Sequence, residues 1–492
     1  RTDSFSFYYV PALMIVALFV LMFGLMPPMV DDIWFLSYIK KYTDGGTWSD
    51  LVEGATDNFL FRFYKDNVRI PNLFGSVLML MPRWLLAALL GLCVGLMIIE
   101  GARLAGAWRR SAAVTALWCG AIVFLLPWYE YMFSGMFALN YVPSSALALL
   151  AARLFISGKQ VPAALAVALG LVTGAWHETA AVALVGGTAG VLIAFPAWRT
   201  RRTAVWAAGF VLGLAYYYLF PATYYKMEGS FMPERFFNLR LGLLSGLPFY
   251  TLCIVTAVGL VLPSTRKRFF TPRLAFIFGA ALASWAMWRC FLTGYRVAWM
   301  MILFSSAGLC QVLMQTVGKR RLTAVAVAVY ALCIAQPVLC LPWFVRLRGE
   351  VAEAWRVADA NPDKSGLFVE ATNPADVPWY TLNRPAFEMY TYNGYPFYRV
   401  VPAALSDFSP AKATAIGTDS GEAYLYRSLI VVPDFELPEE MPACRLYFDG
   451  KPYETACGLS RFTTEAGTFV YVLPVYSFAG LKTHTLTAFE II

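Results

Sequence analysis

The sequence predicts an α-helical polytopic membrane protein, with about eleven transmembrane helices followed by a small extracytoplasmic α/β domain. Of its 492 residues, 59% are hydrophobic and only 14% are charged, whereas soluble globular proteins carry about 25% charged residues. The apolar residues form runs close to the ~20 residues that a helix needs to cross a bilayer. The lipid bilayer is therefore the first partner that the sequence predicts.

Each apolar run is interpreted as one membrane helix. The first run is too long for the hydrophobic core of a signal peptide and lacks a small-residue cleavage site before Asp31, so it predicts a membrane helix. The predicted spans lie near residues 9–30, 84–105, 111–128, 141–157, 161–176, 179–197, 203–221, 241–263, 274–292, 296–317 and 322–344. The fourth and fifth of these are short, which suits tilted or partly re-entrant helices.

The distribution of charge predicts the orientation. If the N-terminus is cytoplasmic, the connections on the cytoplasmic side carry only basic residues among their charges, which satisfies the positive-inside rule. The sequence thus predicts an inner (plasma) membrane protein with a cytoplasmic N-terminus and an extracytoplasmic C-terminal domain. Although the net charge is +8, the basic residues form short clusters rather than one continuous face, which argues against nucleic-acid binding.

Two regions outside the predicted bilayer are large enough to carry chemistry. The first is the outer loop at 31–83, part of the transmembrane module 1–344, whose aromatic and charged residues predict short amphipathic helices at the membrane interface. The second is the domain at 345–492. Strand-like runs punctuated by Pro, Gly and Asn are predicted there at 366–371, 422–432, 444–449 and 467–475.

Two cysteines of the C-terminal domain, Cys444 and Cys457, flank a turn-like segment. Two strands of a hairpin would bring them together. In an oxidising compartment they would form a disulfide, and two unpaired thiols are the alternative.

The acidic pair Asp31-Asp32 directly follows the first predicted span. Two adjacent carboxylates at the outer membrane face are costly if they are buried without partners. Beside a closed-off cavity, one of them suits a general base. A solvated start of the outer loop is the alternative, and the sequence does not say which aspartate matters more.

Two arginines of the outer loop are candidate phosphate ligands. Arg62 and Arg69 are seven positions apart and would share one face of a helix. Because a guanidinium binds phosphate oxygens in a bidentate fork, this pair predicts a phosphate site. Ordinary ion pairs with Asp57 and Asp66 are the alternative.

A second arginine pair, Arg289 and Arg296, flanks a predicted outer turn. Positive charge is not needed for topology on that side, so these residues predict binding of a lipid phosphate between helices. Snorkelling of the side chains towards headgroups is the alternative.

Aromatic and polar residues of two further outer turns predict a substrate pocket. Tyr129 and Glu130 belong to an aromatic-rich segment that precedes Asn140 and Tyr141. Aromatic faces with a few polar groups suit a sugar ring, although aromatic residues also populate membrane interfaces in general.

His177 and Glu178 stand where two apolar runs meet with almost no loop between them. Ionisable residues at membrane depth are functional candidates, and these two would bind a phosphate or an acceptor. Alternatively they would join Asp31 or Asp32 around a divalent cation. One His and one Glu do not specify a metal, so no cofactor is assigned.

These features together resemble the GT-C superfamily of membrane glycosyltransferases, which take sugars from polyprenyl-phosphate donors. The first span, followed at once by Asp31-Asp32 and an amphipathic outer loop, is similar to the start of that family. The resemblance covers about residues 1–345. More narrowly, a group of uncharacterised bacterial GT-C-like proteins is similar in residues 66–72, Ser134-Gly135, Asn140-Tyr141, Gly174 and His177-Glu178.

The resemblance implies a GT-C-like fold and an inverting hexosyl or pentosyl transfer in the cell envelope. Asp31 or Asp32 would be the catalytic base. The donor phosphate would be held by Arg62, Arg69, Arg289 and Arg296. The implied partners are a polyprenyl-phosphate-linked sugar donor and a glycan, lipid or protein acceptor. The acceptor-recognition sequences of better-known branches are missing from this chain, so the acceptor stays open.

Two other functions are compatible with the sequence. A transporter or flippase of a lipid-linked or anionic substrate would carry charges in mid-span, broken helices and repeats, whereas the predicted spans are largely free of charge at their centres. A non-catalytic membrane subunit would present its outer domain to a partner, and the acidic pair would then be incidental.

Overall fold

The protein is predominantly helical, with a small sheet region near the C-terminus. The computed structural model describes residues 4–28, 31–128, 132–230, 246–290, 295–316, 323–360, 409–416, 423–426, 429–433, 443–448, 451–456, 460–463, 469–474 and 486–491. Tyr129 and Glu130 lie outside these ranges.

Eighteen helices are described. They are α1 (Ser4–Leu25), α2 (Asp31–Tyr38), α3 (Lys40–Thr43), α4 (Trp48–Lys65), α5 (Ile70–Leu73), α6 (Gly75–Leu78), α7 (Arg83–Leu104), α8 (Ala112–Gly120), α9 (Gly135–Ile156), α10 (Ala163–Trp176), α11 (Glu178–Ala194), α12 (Arg201–Tyr218), α13 (Pro221–Ser230), α14 (Leu247–Val261), α15 (Pro263–Phe269), α16 (Pro272–Cys290), α17 (Trp299–Thr316) and α18 (Thr323–Ala360). A π-helical turn, Ala121–Leu125, continues α8.

The long apolar helices are those expected of a helical membrane protein. Within the described ranges, five helices are long and apolar enough to cross a bilayer, or six if the bent pair α15–α16 counts as one span. Each of the predicted spans overlaps a helix in the described residues, but several of these helices have fewer than the ~20 residues that a crossing needs. The number of eleven spans therefore stays a prediction.

Short helices fill the region between α1 and α7, as the amphipathic pattern of the predicted outer loop indicates. Helix α4 begins with a capping box. The Asp50 carboxylate accepts hydrogen bonds from the backbone N–H and the hydroxyl of Thr47, at 2.6 and 2.8 Å. Hydrogen bonds from Lys41 and Thr47 lower the pKa of Asp50 to about 2. The segment thus has its own local order rather than being a flexible connection.

Helix α9 is the central element of the membrane unit. It packs against α2, α5, α7, α10, α11, α16 and α17. Most of its residues are buried, and helices α2 and α5 of the 31–83 segment reach its N-terminal half. The position of α9 therefore decides which predicted site residues can meet.

Helices α10 and α12 approach closely because glycines face one another. A Cβ added at Gly174 would lie 2.5 Å from the Cα of Gly213, and one added at Gly170 would lie 2.7 Å from the carbonyl carbon of Gly209. No other residue fits there without displacing the partner backbone. Small residues of this kind drive helix association in lipid, where apolar burial offers no net gain.

Eight short strands lie in the described part of the C-terminal region. They are β1 (Thr414–Ile416), β2 (Ala423–Tyr426), β3 (Leu429–Pro433), β4 (Ala443–Phe448), β5 (Lys451–Ala456), β6 (Ser460–Thr463), β7 (Phe469–Pro474) and β8 (Leu486–Ile491). One antiparallel sheet has the order β1-β2-β3-β7-β6, and the other has the order β5-β4-β8.

The strands match three of the four predicted runs. The run at 422–432 holds two strands, β2 and β3, which pair as a hairpin, and the run at 366–371 lies outside the described residues. Strands β4 and β5 form the predicted hairpin, in which Cys444 stands opposite Thr455. Cys457 lies outside the described residues, so its pairing with Cys444 stays a prediction.

Contacts between Cα atoms divide the chain into two compact units. The first extends from Arg1 to Pro342, and the second begins at Trp343. The domain boundary predicted from the sequence, between 344 and 345, stays a prediction.

Candidate functional site

The carboxylate of Asp32 is bound at the N-terminus of α9. Its side chain is fully buried. One carboxylate oxygen accepts a hydrogen bond from the Gly135 N–H at 2.8 Å and the other accepts one from the Met136 N–H at 2.7 Å. The first N–H groups of a helix have no partners within the helix, and a negative charge there is favourable. Asp32 therefore anchors the start of α2 to the start of α9.

Arg83 reinforces this anchor. A terminal nitrogen of its guanidinium lies 3.6 Å from the Asp32 carboxylate. Its Nε donates to the Phe23 carbonyl at 2.9 Å, and its Nη2 donates to the Phe133 carbonyl at 3.2 Å. One side chain thus joins the end of α1, the start of α2 and the approach to α9. Sequence analysis missed Arg83, although a basic residue on the predicted outer side was a usable signal.

Asp31 differs from its neighbour in environment. It is the first residue of α2 and is partly exposed, whereas Asp32 is fully buried. Because Asp32 is held by α9, the backbone that carries Asp31 is fixed as well. The two carboxylates, which the sequence could not rank, therefore have separate surroundings.

A second polar cluster joins Arg69 and Glu178, which are 109 positions apart. The guanidinium binds both carboxylate oxygens, with Nε 2.7 Å from Oε2 and with Nη2 in contact with Oε1. Burial alone would lower the pKa of Arg69, but the Glu178 carboxylate outweighs it and the pKa is raised. The predicted phosphate ligand and the predicted pocket carboxylate thus neutralise each other.

His177 links α10 to α11 and is fully buried. Its Nδ1 accepts the Thr179 N–H at 3.2 Å and so caps the N-terminus of α11. The imidazole lies against the ring of Tyr141 on α9, with 4.4 Å between the ring centroids. The break between the two short helices is therefore closed by a histidine that also contacts the central helix.

An internal proline of α9 leaves a backbone carbonyl that binds the end of α10, beside the break between α10 and α11. Pro143 has no N–H to donate to the carbonyl of Leu139, one turn earlier. The indole Nε1 of Trp176 donates to that carbonyl at 2.6 Å instead. The end of α10 is thus held on α9 by a hydrogen bond that the proline makes available.

Asparagines connect α9 with the 31–83 segment. The Asn140 Nδ2 donates to the Asn72 Oδ1 at 2.8 Å, and the Asn72 Nδ2 donates to the Asn67 Oδ1 at 2.6 Å. The amide of Asn58 binds the carbonyl oxygens of Asn72 and Leu73. Asn140, predicted as a pocket residue, is thereby fixed, and sequence analysis assigned no such role to Asn58.

The remaining predicted arginines have different environments. Arg296 lies over the Phe137 ring at 4.7 Å, is partly exposed and has no carboxylate partner among the described residues. Arg62 is fully buried, packs against Trp34 at 3.9 Å and is paired with Asp66. The ion pair that the sequence offered as the alternative for Arg62 is thus present.

Arg289, at the end of α16, is 5% exposed. Its guanidinium lies 5.8 Å from the ring of the preceding Trp288. Of the four predicted phosphate ligands, Arg296 is therefore the one that combines partial exposure with the absence of a carboxylate partner in the described ranges.

The N-terminal half of α9 gathers most of the predicted site. Phe137 and Tyr141 are four residues apart and share one face of the helix. Arg296 lies over the first ring, and Arg69 lies 5.9 Å from the centre of the second. Within the described ranges, no three His, Cys, Asp or Glu side chains are close enough together to hold a metal ion.

Comparison of the chain with protein-family models, with curated proteins and with solved structures found no match. The geometry around α9 is therefore the basis for a functional interpretation.

Proposed function

We propose that this chain is a membrane glycosyltransferase that moves a sugar from a polyprenyl-phosphate donor to an extracytoplasmic acceptor, with Asp31 as the general base. The observation that carries the proposal is the difference in environment between the two aspartates of the acidic pair. Asp32 is fully engaged by two backbone N–H groups and fixes the local backbone. Asp31 follows the same backbone and is partly exposed.

Arg296 is the proposed ligand of the donor phosphate. A guanidinium on an aromatic face, with no carboxylate partner among the described residues, retains its N–H donors for an anion. It lies over Phe137, next along α9 to the residue whose N–H binds Asp32. Base and phosphate ligand would thus flank the same end of one helix.

The chemistry is a single displacement. The acceptor hydroxyl gives its proton to the Asp31 carboxylate while its oxygen forms a bond to the anomeric carbon. The bond between that carbon and the phosphate oxygen breaks, and the lipid phosphate leaves with the electron pair. Because this leaving group is already a stabilised anion, no acid catalyst is required, and inversion at the anomeric carbon follows.

Donor turnover by the purified protein tests the proposal. Polyprenyl-phosphate sugars would be supplied with a panel of acceptors, and Asp31→Asn is expected to lower kcat by about 100-fold or more, the usual value of a general base. Asp57→Asn is the matched control, because Asp57 is an exposed carboxylate on α4. Full turnover by the Asp31 variant would refute the assignment.

Arg296→Gln separates binding from catalysis. If Arg296 holds the donor phosphate, this change raises the KM for the donor, whereas Asp31→Asn lowers kcat with little change in KM. Unchanged donor KM in Arg296→Gln would remove that residue from the site.

One observation favours the alternative of a transporter or flippase. Helices α10 and α11 meet at His177, beside the partly buried Arg69–Glu178 pair, and transporters place substrate sites at such broken helices. Movement of a lipid-linked sugar across sealed vesicles without cleavage of the donor would support this function over glycosyl transfer.

A further inference from the structure

A cavity of about 420 Å³ opens at the C-terminal end of α9. Four basic side chains line it, from α7, α9, the turn after α9 and the start of α16: Arg103, Arg153, Lys159 and Arg273. Helix α9 has 22 residues and is about 33 Å long, close to the ~30 Å of a bilayer core. The cavity and the candidate glycosyl-transfer site therefore lie at opposite ends of a membrane-spanning helix.

A buried carboxylate organises two of these cations. Glu100 is 3% exposed, and its two oxygens accept hydrogen bonds from Arg103 Nη1 at 2.7 Å and Arg153 Nε at 2.6 Å. Each guanidinium has five N–H donors, and neither makes another hydrogen bond within the described residues. The remaining donors are thus held in place at the cavity wall.

The charges of the cavity do not balance. Against the four basic residues stands the single carboxylate of Glu100. Lys159 and Arg273 have no ion pair within the described ranges. A formal excess of three positive charges favours a ligand with two or more negative charges, such as a phosphate monoester or a bisphosphate.

The negative end of α9 does not oppose such a ligand. The last carbonyls of a helix carry partial negative charge. Here the Nη2 of Arg202 donates to the carbonyl oxygens of Leu154 and Phe155, at 3.1 and 2.8 Å. The helix end is thereby covered by a further cation.

Helix α7 offers a path for the apolar part of a lipid. Four leucines at helical spacing are 41–64% exposed on one face of α7: Leu85, Leu89, Leu92 and Leu96. Arg103 continues the same row two turns further on, where it lines the cavity. A lipid chain along the leucines would bring its phosphate to the basic cavity.

We propose that this cavity binds the phosphate headgroup of an anionic membrane phospholipid carrying two negative charges, with its acyl chain along α7. Basic pockets between transmembrane helices bind such headgroups through ion pairs and hydrogen bonds. The proposal does not depend on glycosyl transfer, because the cavity lies at the other end of α9.

Thermal unfolding of the purified chain in mixed micelles tests the proposal. The probes are phosphatidic acid, cardiolipin, zwitterionic phosphatidylcholine, inorganic phosphate and pyrophosphate. The double variant Lys159→Gln, Arg273→Gln leaves Glu100 and its two arginines intact. It is expected to weaken stabilisation by dianionic lipid roughly tenfold or more in lipid concentration, since each basic residue near a membrane surface contributes appreciably.

The double variant Arg266→Gln, Lys267→Gln is the matched control. It removes the same charge from exposed positions of α15, next along the chain to α16. Loss of lipid stabilisation in the cavity variant with retention in this control supports the proposal. Equal loss in both, stabilisation by inorganic phosphate or pyrophosphate as strong as that by lipid, or no stabilisation by any phosphate probe would overturn it.

Discussion

Replacing Asp32 with asparagine measures what the anchor between α2 and α9 contributes to stability. Asparagine keeps the shape of the side chain but presents an NH₂ group to one of the two N–H donors that the carboxylate now binds at 2.7 and 2.8 Å. A hydrogen bond to a charged group contributes about 1.5–3 kcal/mol, against about 0.5–1.5 kcal/mol for a neutral one. One such bond is lost and the other weakened.

The helix terminus and the neighbouring guanidinium add to this loss. A partly buried charge at a helix end contributes up to ~2 kcal/mol. Arg83 also loses its carboxylate neighbour, although it keeps the carbonyls of Phe23 and Phe133. Because the terms are coupled, we expect Asp32→Asn to lower the free energy of unfolding by about 3–5 kcal/mol, the range for breaking a buried ion pair.

Asp31→Asn is the matched comparison, since it removes the same charge one residue away. Asp31 is partly exposed at the first turn of α2, where a carboxylate contributes about 0.3–1 kcal/mol. Denaturant unfolding of both variants, in the same detergent, gives the difference. Similar losses of stability in Asp31→Asn and Asp32→Asn would refute the assignment of Asp32 as the anchor.

Two further predictions concern packing inside the membrane unit. Glu178→Gln should lower the free energy of unfolding by about 2–3 kcal/mol, because it leaves the partly buried Arg69 without its counter-charge. The double variant Arg69→Met, Glu178→Leu should lose less than the sum of the losses in Arg69→Met and Glu178→Leu alone, and additive losses in this denaturant double-mutant cycle would contradict the pairing. Gly174→Ala should cost about 1–3 kcal/mol through overpacking against the backbone of Gly213, 2.5 Å from the new Cβ. Gly95→Ala is its control, because a Cβ there would make only an ordinary contact at 3.4 Å. Equal melting temperatures of Gly174→Ala and Gly95→Ala would contradict the close approach of α10 and α12.

The helical architecture could be predicted because its determinants are local. Apolar runs and their flanking charges predicted helices at every proposed span, and the aromatic pattern of 31–83 predicted the short helices that follow α1. The number of membrane crossings was harder to predict than the positions of the helices. Several apolar helices, such as α10 (Ala163–Trp176) and α11 (Glu178–Ala194), are shorter than the ~20 residues of a typical crossing, and hydropathy does not reveal how the chain accommodates that.

The candidate site could be predicted only as a set of residue types. Charge and spacing singled out Asp32, Arg69 and Glu178, but pairing over 109 positions leaves no local signal. The groups of α9 that bind Asp32 are backbone N–H groups, which every residue except proline carries, so no side-chain motif marks them. Arg69 was predicted as a phosphate ligand because its ion-pair partner, Glu178, lies in a helix far away in the sequence.

The anchor at α9 also sets an order for biogenesis. Asp32 and the N–H of Gly135 are 103 positions apart, and ribosomes add about 5–20 residues per second. The carboxylate is therefore translated roughly 5–20 s before its main partner exists, while Arg83 emerges in between. A nascent chain that stops short of Gly135 carries the Asp32 carboxylate without the two N–H donors that bind it in the complete fold. Insertion of α9 is thus the step that completes the attachment of α2, after α1, α7 and α8 have already been made.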